Sequence, residues 1–140
     1  MGAKCHERQC LMPVNESTLA SPVFDQLQQA LACDPAGFTE LYRDYLADAW
    51  QALRILGDAV RRQQTEEVRT KAHHVKGSSM VLGARAVAQC ASALEEMGRS
   101  ADIRTAGAML EQTRLALLAV QAELSTRLGA GVVPANETAA

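Results

Sequence analysis

The sequence predicts an all-α fold, an antiparallel up-down four-helix bundle with an additional short N-terminal helix. Three observations carry that expectation. Apolar residues recur every three or four positions through most of the 140 residues, the period of one face of an α-helix. Aromatic residues make up only 4%, while Ala, Leu and Gln are plentiful, and Ala and unbranched side chains give up little rotamer freedom in a helix. No stretch carries the period-two alternation of a half-buried strand.

Residues 1–15 show no periodicity and read as a loose tail. A first short helix is expected over about Ser17–Ala32, with Val23, Leu27 and Leu31 on one stripe. Asp34-Pro35 then supplies a cap and a pre-set first turn. From there Phe38, Leu41, Tyr45, Ala49, Leu53, Leu56 and Val60 mark one long amphipathic helix. It ends near Arg61-Arg62-Gln63, where cations suit the negative helix end. Thr65-Glu66-Glu67 opens a third helix with acids in its first turn, and Gly83 interrupts it. A fourth runs from about Ala84 to Met97, with Val87, Cys90, Ala91 and Leu94 on its stripe and Gly98 closing it. Ser100-Ala101-Asp102 starts a fifth, striped by Ile103, Ala106, Leu110, Leu117, Val120, Leu124 and Leu128. Helices with one apolar stripe and short links bury it by packing side by side, here with the first helix laid across one end. The bundle domain is therefore expected over 16–128. The Gly- and Pro-containing end, 129–140, reads as a second loose tail.

Composition narrows the function classes. Hydrophobic residues at 48% and charged ones at 21% are an ordinary balance for one globular domain. A net charge of −2 gives no broad basic field for nucleic acid or an anionic membrane. No apolar run approaches the roughly 18 residues of a membrane span, and the N-terminus lacks the apolar centre of a secretory signal. A cytoplasmic monomer is expected, with Cys5, Cys10, Cys33 and Cys90 as thiols.

Two of the three histidines stand side by side in KAHHVKGSSM, residues 71–80. At about 100° per residue, Val68, Ala72, Val75, Ser79 and Leu82 share one arc, which faces the bundle, and His73 points away from it. Glu66, Arg69, Gly77 and Met80 fall within about 40° of His73, and Lys76 within about 60°. His74 lies a quarter turn round, on the flank of the buried arc. Lys76, one turn on, is placed to reach an anion held on His73. Gly77 leaves one edge of the ring open, and a mid-helix glycine that costs about 1 kcal/mol relative to alanine needs such a reason. An open imidazole, a nearby cation and a cleared approach describe a nucleophile for an anionic group, and phosphoryl is the obvious candidate. A metal is disfavoured, because ligands sharing one ion on a helix stand three or four residues apart. Cys5-His6 and Cys10 have no second ligand pair to join and lie in the expected tail.

His73, Val75, Lys76-Gly77 with Ser78-Ser79, then Gly83-Ala84, Cys90 and Leu94-Glu95, resembles the histidine phosphotransfer (HPt) domain family of multi-step phosphorelays. In that family a His is followed by an aliphatic, Lys-Gly and two small residues, then Gly-Ala and later Leu-Glu. The resemblance implies that His73 takes a phosphoryl group from a receiver-domain aspartate and hands it to another receiver. It implies that Lys76 neutralises the phosphoryl oxygens and Gly77 gives access. Glu95 would accept the Nδ1 proton and so fix the ring tautomer. Partners would be response-regulator receiver domains and a hybrid sensor histidine kinase, docking over Met80, Arg69 and Arg85 and the exposed part of the first helix. No cofactor is implied, the Mg2+ being supplied by the receiver, and no Gly-rich phosphate loop suggests a kinase site. Two other readings stand beside this one: an adaptor bundle that binds receivers without transfer, and the phosphorylated domain of a chemotaxis-type kinase.

Overall fold

The structure, a computed structural model, describes residues 19–134. Among them all regular structure is helical: α1 (Ser21–Ala30), α2 (Pro35–Arg61), α3 (Thr65–Leu82), α4 (Arg85–Ser100), α5 (Ala106–Leu128) and a 3-10 turn (Ala130–Val132). No strand occurs among the described residues. No helix among them is long and apolar enough to cross a membrane.

Local chemistry sets the helix ends. The Gly37 backbone N–H donates to Asp34 Oδ1 at 3.0 Å, closing the N-terminus of α2. A Cβ on Gly37 would stand 2.3 Å from that carboxylate, so the glycine makes room for the cap. Helix α3 starts with Glu66 and Glu67 in its first turn and stops at Gly83, whose φ of 84° is left-handed. The Gly83 carbonyl accepts the Ala20 N–H at 2.8 Å, and a Cβ there would meet Val23 at 3.1 Å. One glycine thus ends α3 and seats the start of α1.

Helix α2 packs on α3 and α5, and α4 packs on the same two, so each long helix has two long neighbours, while α1 touches α2 and α3. The α3–α4 contact is the most extensive. Tyr42, Leu46, Leu56, Val68, Val75, Val87, Leu94, Leu117, Val120 and Leu124 are fully buried between them. Tyr42 Oη donates to the Leu82 carbonyl at 3.0 Å, and Trp50 Nε1 donates to Gln121 Oε1 at 2.8 Å. These bonds tie α2 to the end of α3 and to α5 while satisfying polar atoms taken into the core.

Four expectations are corrected. Helix α1 is shorter than Ser17–Ala32, and its deepest residue is Phe24, edge-on to Phe38 at 5.2 Å. Gly98 does not close α4, which continues to Ser100. A Cβ on Gly98 would lie 2.6 Å from the Arg69 backbone nitrogen and 2.8 Å from the Thr65 carbonyl. Its bare Cα lets α4 lie against the first turns of α3. Helix α5 begins at Ala106, because Ser100 still belongs to α4 and Asp102 pairs with Arg104 in the link. Finally, the part of 129–140 that is described is packed, not loose: Val132 is fully buried, and its turn contacts α5 and α2.

Candidate functional site

The expected buried arc of α3 is the observed one: Val68, Ala72, Val75, Ser79 and Leu82 all face the core. That arc turns His73 outward, with its side chain 66% exposed. Glu95 arrives from α4 with its side chain only 5% exposed. His73 Nδ1 lies 2.9 Å from Glu95 Oε2. A carboxylate only accepts, so Nδ1 carries the hydrogen of this bond. In the neutral ring Nε2 is then the nitrogen with a free lone pair.

Glu95 has two further partners. Lys76 Nζ lies 2.7 Å from Oε1, and Arg99 Nη2 lies 3.3 Å from Oε2. The Lys76 hydrogen bond is the main cause holding the Glu95 carboxyl below the usual carboxylate range; burial opposes it and the His73 bond assists. The group is therefore an anion at neutral pH despite its burial. Lys76 was expected to reach out toward a bound anion, and in this structure its charge is engaged by Glu95.

Gly77 is open as expected, with nothing within 4 Å of an added Cβ. His74 is a separate case. Its Nε2 lies 2.7 Å from Asp48 Oδ2 on α2, with both side chains 54% exposed. The two rings therefore diverge: His73 is held at Nδ1 by a buried carboxylate, His74 at Nε2 by an exposed one.

The residues expected to meet a partner are more scattered. Arg69 is partly exposed and paired with Glu66 one turn earlier. Met80 is 62% exposed, about 10 Å further along α3 from His73. Arg85 is exposed at the first residue of α4, beyond the hairpin link, and is not part of the His73 cluster. Arg99 and Asp48 were not anticipated. Arg99 stands one turn after Glu95 in the last turn of α4, a spacing that favours a pair but is too common to mark a site. Asp48 is 26 residues from His74, and only the packing of α2 on α3 brings it near. Among the described residues no group of three or more His, Cys, Asp or Glu could hold a metal ion. Cys5, His6 and Cys10 lie outside the described residues.

The Hpt domain family model matches residues 40–125, a span that contains His73, Lys76, Glu95 and Arg99. The chain belongs to the Hpt domain family. Among solved structures, this Hpt domain is similar to histidine-containing phosphotransfer protein B (HptB) from Pseudomonas aeruginosa. The TM-score is 0.74 at 25% sequence identity, covering 79% of this chain and 94% of that one. No curated protein sequence matches the chain significantly. An Hpt domain is a histidine phosphotransfer module of phosphorelays, and of the two exposed rings His73 is the one held by a buried carboxylate.

Proposed function

We propose that the protein is a phosphoryl carrier that accepts a phosphoryl group on Nε2 of His73 from one receiver-domain aspartate and passes it to another. The observation that carries the reading is the Nδ1 contact of His73 with the anionic, buried Glu95. In the forward step the P–O bond of the donor aspartyl phosphate breaks and an N–P bond forms at Nε2. The Nδ1 proton stays in place. Positive charge on the phosphorylated ring faces Glu95, which stabilises it without taking the proton. Lys76, one turn on, would swing from Glu95 to neutralise the phosphoryl oxygens, and Gly77 leaves space for the receiver to approach. The same steps run backward deliver the group to a second receiver.

In this reading the chain is a carrier that receives its phosphoryl group from a receiver, not a kinase that generates it from a nucleotide. Its partners in this reading are receiver domains and a hybrid sensor histidine kinase, docking over α3 with Met80 in the contact and Arg69 and Arg85 at its edges. The short links at 62–64 and 83–84 support an antiparallel up-down course for α2, α3 and α4. In this reading the protein is a cytoplasmic monomer, which fractionation and size-exclusion chromatography test.

The test is direct. The protein is mixed with a phosphorylated receiver, and acid-labile phosphate is measured on wild type, His73→Gln and His74→Gln. Loss in His73→Gln with near-normal labelling in His74→Gln supports the reading. Labelling that survives His73→Gln overturns it, and a wild type that no receiver labels favours a non-transferring adaptor.

A further inference from the structure

We infer that Arg99 is a positioning residue for His73, acting through Glu95: it keeps that carboxylate in place against the ring while Lys76 leaves it for the phosphoryl group. The inference rests on the reading of His73 as the acceptor.

Glu95 is one carboxylate with two cations and one imidazole upon it. Oε1 holds Lys76; Oε2 is shared by His73 and Arg99. One cation would suffice to neutralise it, so the two are not equivalent duplicates. They differ in how they are held. Lys76 comes from α3, three residues after His73, on a flexible four-carbon stem, and it contacts Glu95 alone among the carboxylates described. Arg99 sits on the same helix as Glu95 and is anchored a second time, through Nη1, on Glu96 Oε1. Its planar fork thus spans two carboxylates, and it lies in the last turn of α4, where a cation is favoured.

A phosphoryl group on Nε2 brings charge and strong acceptor oxygens to a ring that lies one helical turn from Lys76. Lys76 can turn to it by releasing one contact. Arg99 would have to release two. If Lys76 left, Glu95 would lose the main contact that holds its carboxyl below the usual range, and Arg99 would be the side-chain cation left upon it. Without that cation Oε2 would be a weaker and less firmly placed acceptor for the Nδ1 hydrogen, and the ring tautomer would be less strictly fixed. Arg99 prevents that. The other charged groups facing Glu95 do not substitute for it: Arg69 on α3 feels the Glu95 charge but is bonded to Glu66, and Glu96 on α4 is itself an anion.

The experiment compares wild type, Arg99→Ala, Arg99→Lys and Glu96→Gln by three readouts. These are the His73 ring 15N shifts, the pH titration of the Glu95 carboxyl carbon, and the rate of phosphoryl acceptance from a phosphorylated receiver. Arg99→Ala is expected to move the Glu95 titration upward and populate the other His73 tautomer. It is also expected to slow acceptance roughly fivefold, the scale of one partly exposed ion pair, and to move the acid limb of the pH–rate profile upward. Arg99→Lys should restore most of each effect, and Glu96→Gln should show a weaker form of them. Unchanged His73 shifts and Glu95 titration in Arg99→Ala overturn the inference, as does a loss in Arg99→Lys as deep as in Arg99→Ala. Wild type that accepts no phosphoryl group overturns the acceptor reading instead, and the two NMR readouts then still decide the role of Arg99.

Discussion

His73 Nδ1 and Glu95 Oε2 lie 2.9 Å apart, a bond that joins an exposed ring on α3 to a buried carboxylate on α4 across 22 residues of chain. The bond exists because two helices present one residue each to their shared seam. On α3 the apolar arc of Val68, Ala72, Val75 and Leu82 turns His73 out. On α4 the buried stripe of Val87, Ala91, Leu94 and Gly98 carries Glu95 with it into the seam. A carboxylate there is affordable only because Lys76 and Arg99 reach it as well.

Replacing that carboxylate by an amide tests its role with little change in shape. Glu95→Gln removes the anion that faces the charged ring while keeping an oxygen that can accept the Nδ1 hydrogen. Phosphoryl acceptance by His73 is expected to fall about tenfold, the worth of one charge-assisted hydrogen bond at roughly 1.5 kcal/mol. Stopped-flow or quench-flow transfer from a phosphorylated receiver measures this, and circular dichroism should report a helical fold at 25 °C throughout.

Two glycines on the two helices should respond in opposite ways to the same substitution. Gly77→Ala adds a methyl into open space and removes a helix-interior glycine, so thermal unfolding should show a gain of up to about 1 kcal/mol. Receiver-dependent transfer should nevertheless not improve, and a bulkier residue there should slow it. Gly98→Ala places a methyl 2.6 Å from the Arg69 nitrogen, an atom of the backbone that cannot turn aside. It should cost about 1–3 kcal/mol or more and widen the seam that sets the His73–Glu95 distance. Equal unfolding midpoints for the two variants would contradict this account of the α3–α4 packing.

The titrating groups predict how stability varies with pH. Burial pushes the phenols of Tyr42 and Tyr45 up to about 12 from an ordinary 10. A group whose pKa is raised on folding contributes stability that is complete below its unfolded value and is lost as pH rises toward the folded one. Unfolding free energy should therefore decline between about pH 10 and 12, with Tyr45→Phe losing part of that slope. Glu95 is held low, so its contribution is present above the ordinary carboxylate range and disappears as pH falls through its lower folded value. Denaturant unfolding at a series of pH values should show an acid slope in wild type that is reduced in Glu95→Gln.

The sequence made the helices legible wherever one face alternates at the helical period, and the buried arc of α3 was read residue for residue. His73 could be distinguished from His74 for the same reason, since adjacent residues on a helix point a quarter turn apart. Glu95 was legible only through family resemblance, because nothing in its own helix separates a buried acid from a surface one. Other contacts between helices were not legible. Asp48 meets His74 and Gly98 meets the Arg69 backbone only once α2, α3 and α4 are packed, while the Arg99–Glu95 pair lies within α4 at a spacing too common to single it out. Gly98 misled for a physical reason: a glycine late in a helix reads as a stop, and close approach of a second backbone leaves the same mark. Val132 was missed because two adjacent valines after a Gly-containing break have no helical period to reveal burial.

The central claim is that Nε2 of His73 is the atom phosphorylated, since Nδ1 is occupied by its hydrogen and Glu95. The most direct measurement is long-range 15N–31P correlation on 15N-histidine-labelled protein after transfer from a phosphorylated receiver. The account predicts a phosphorus signal coupled to Nε2 of His73, with Nδ1 still protonated. Phosphorus on Nδ1 of His73, or on either nitrogen of His74, would contradict it.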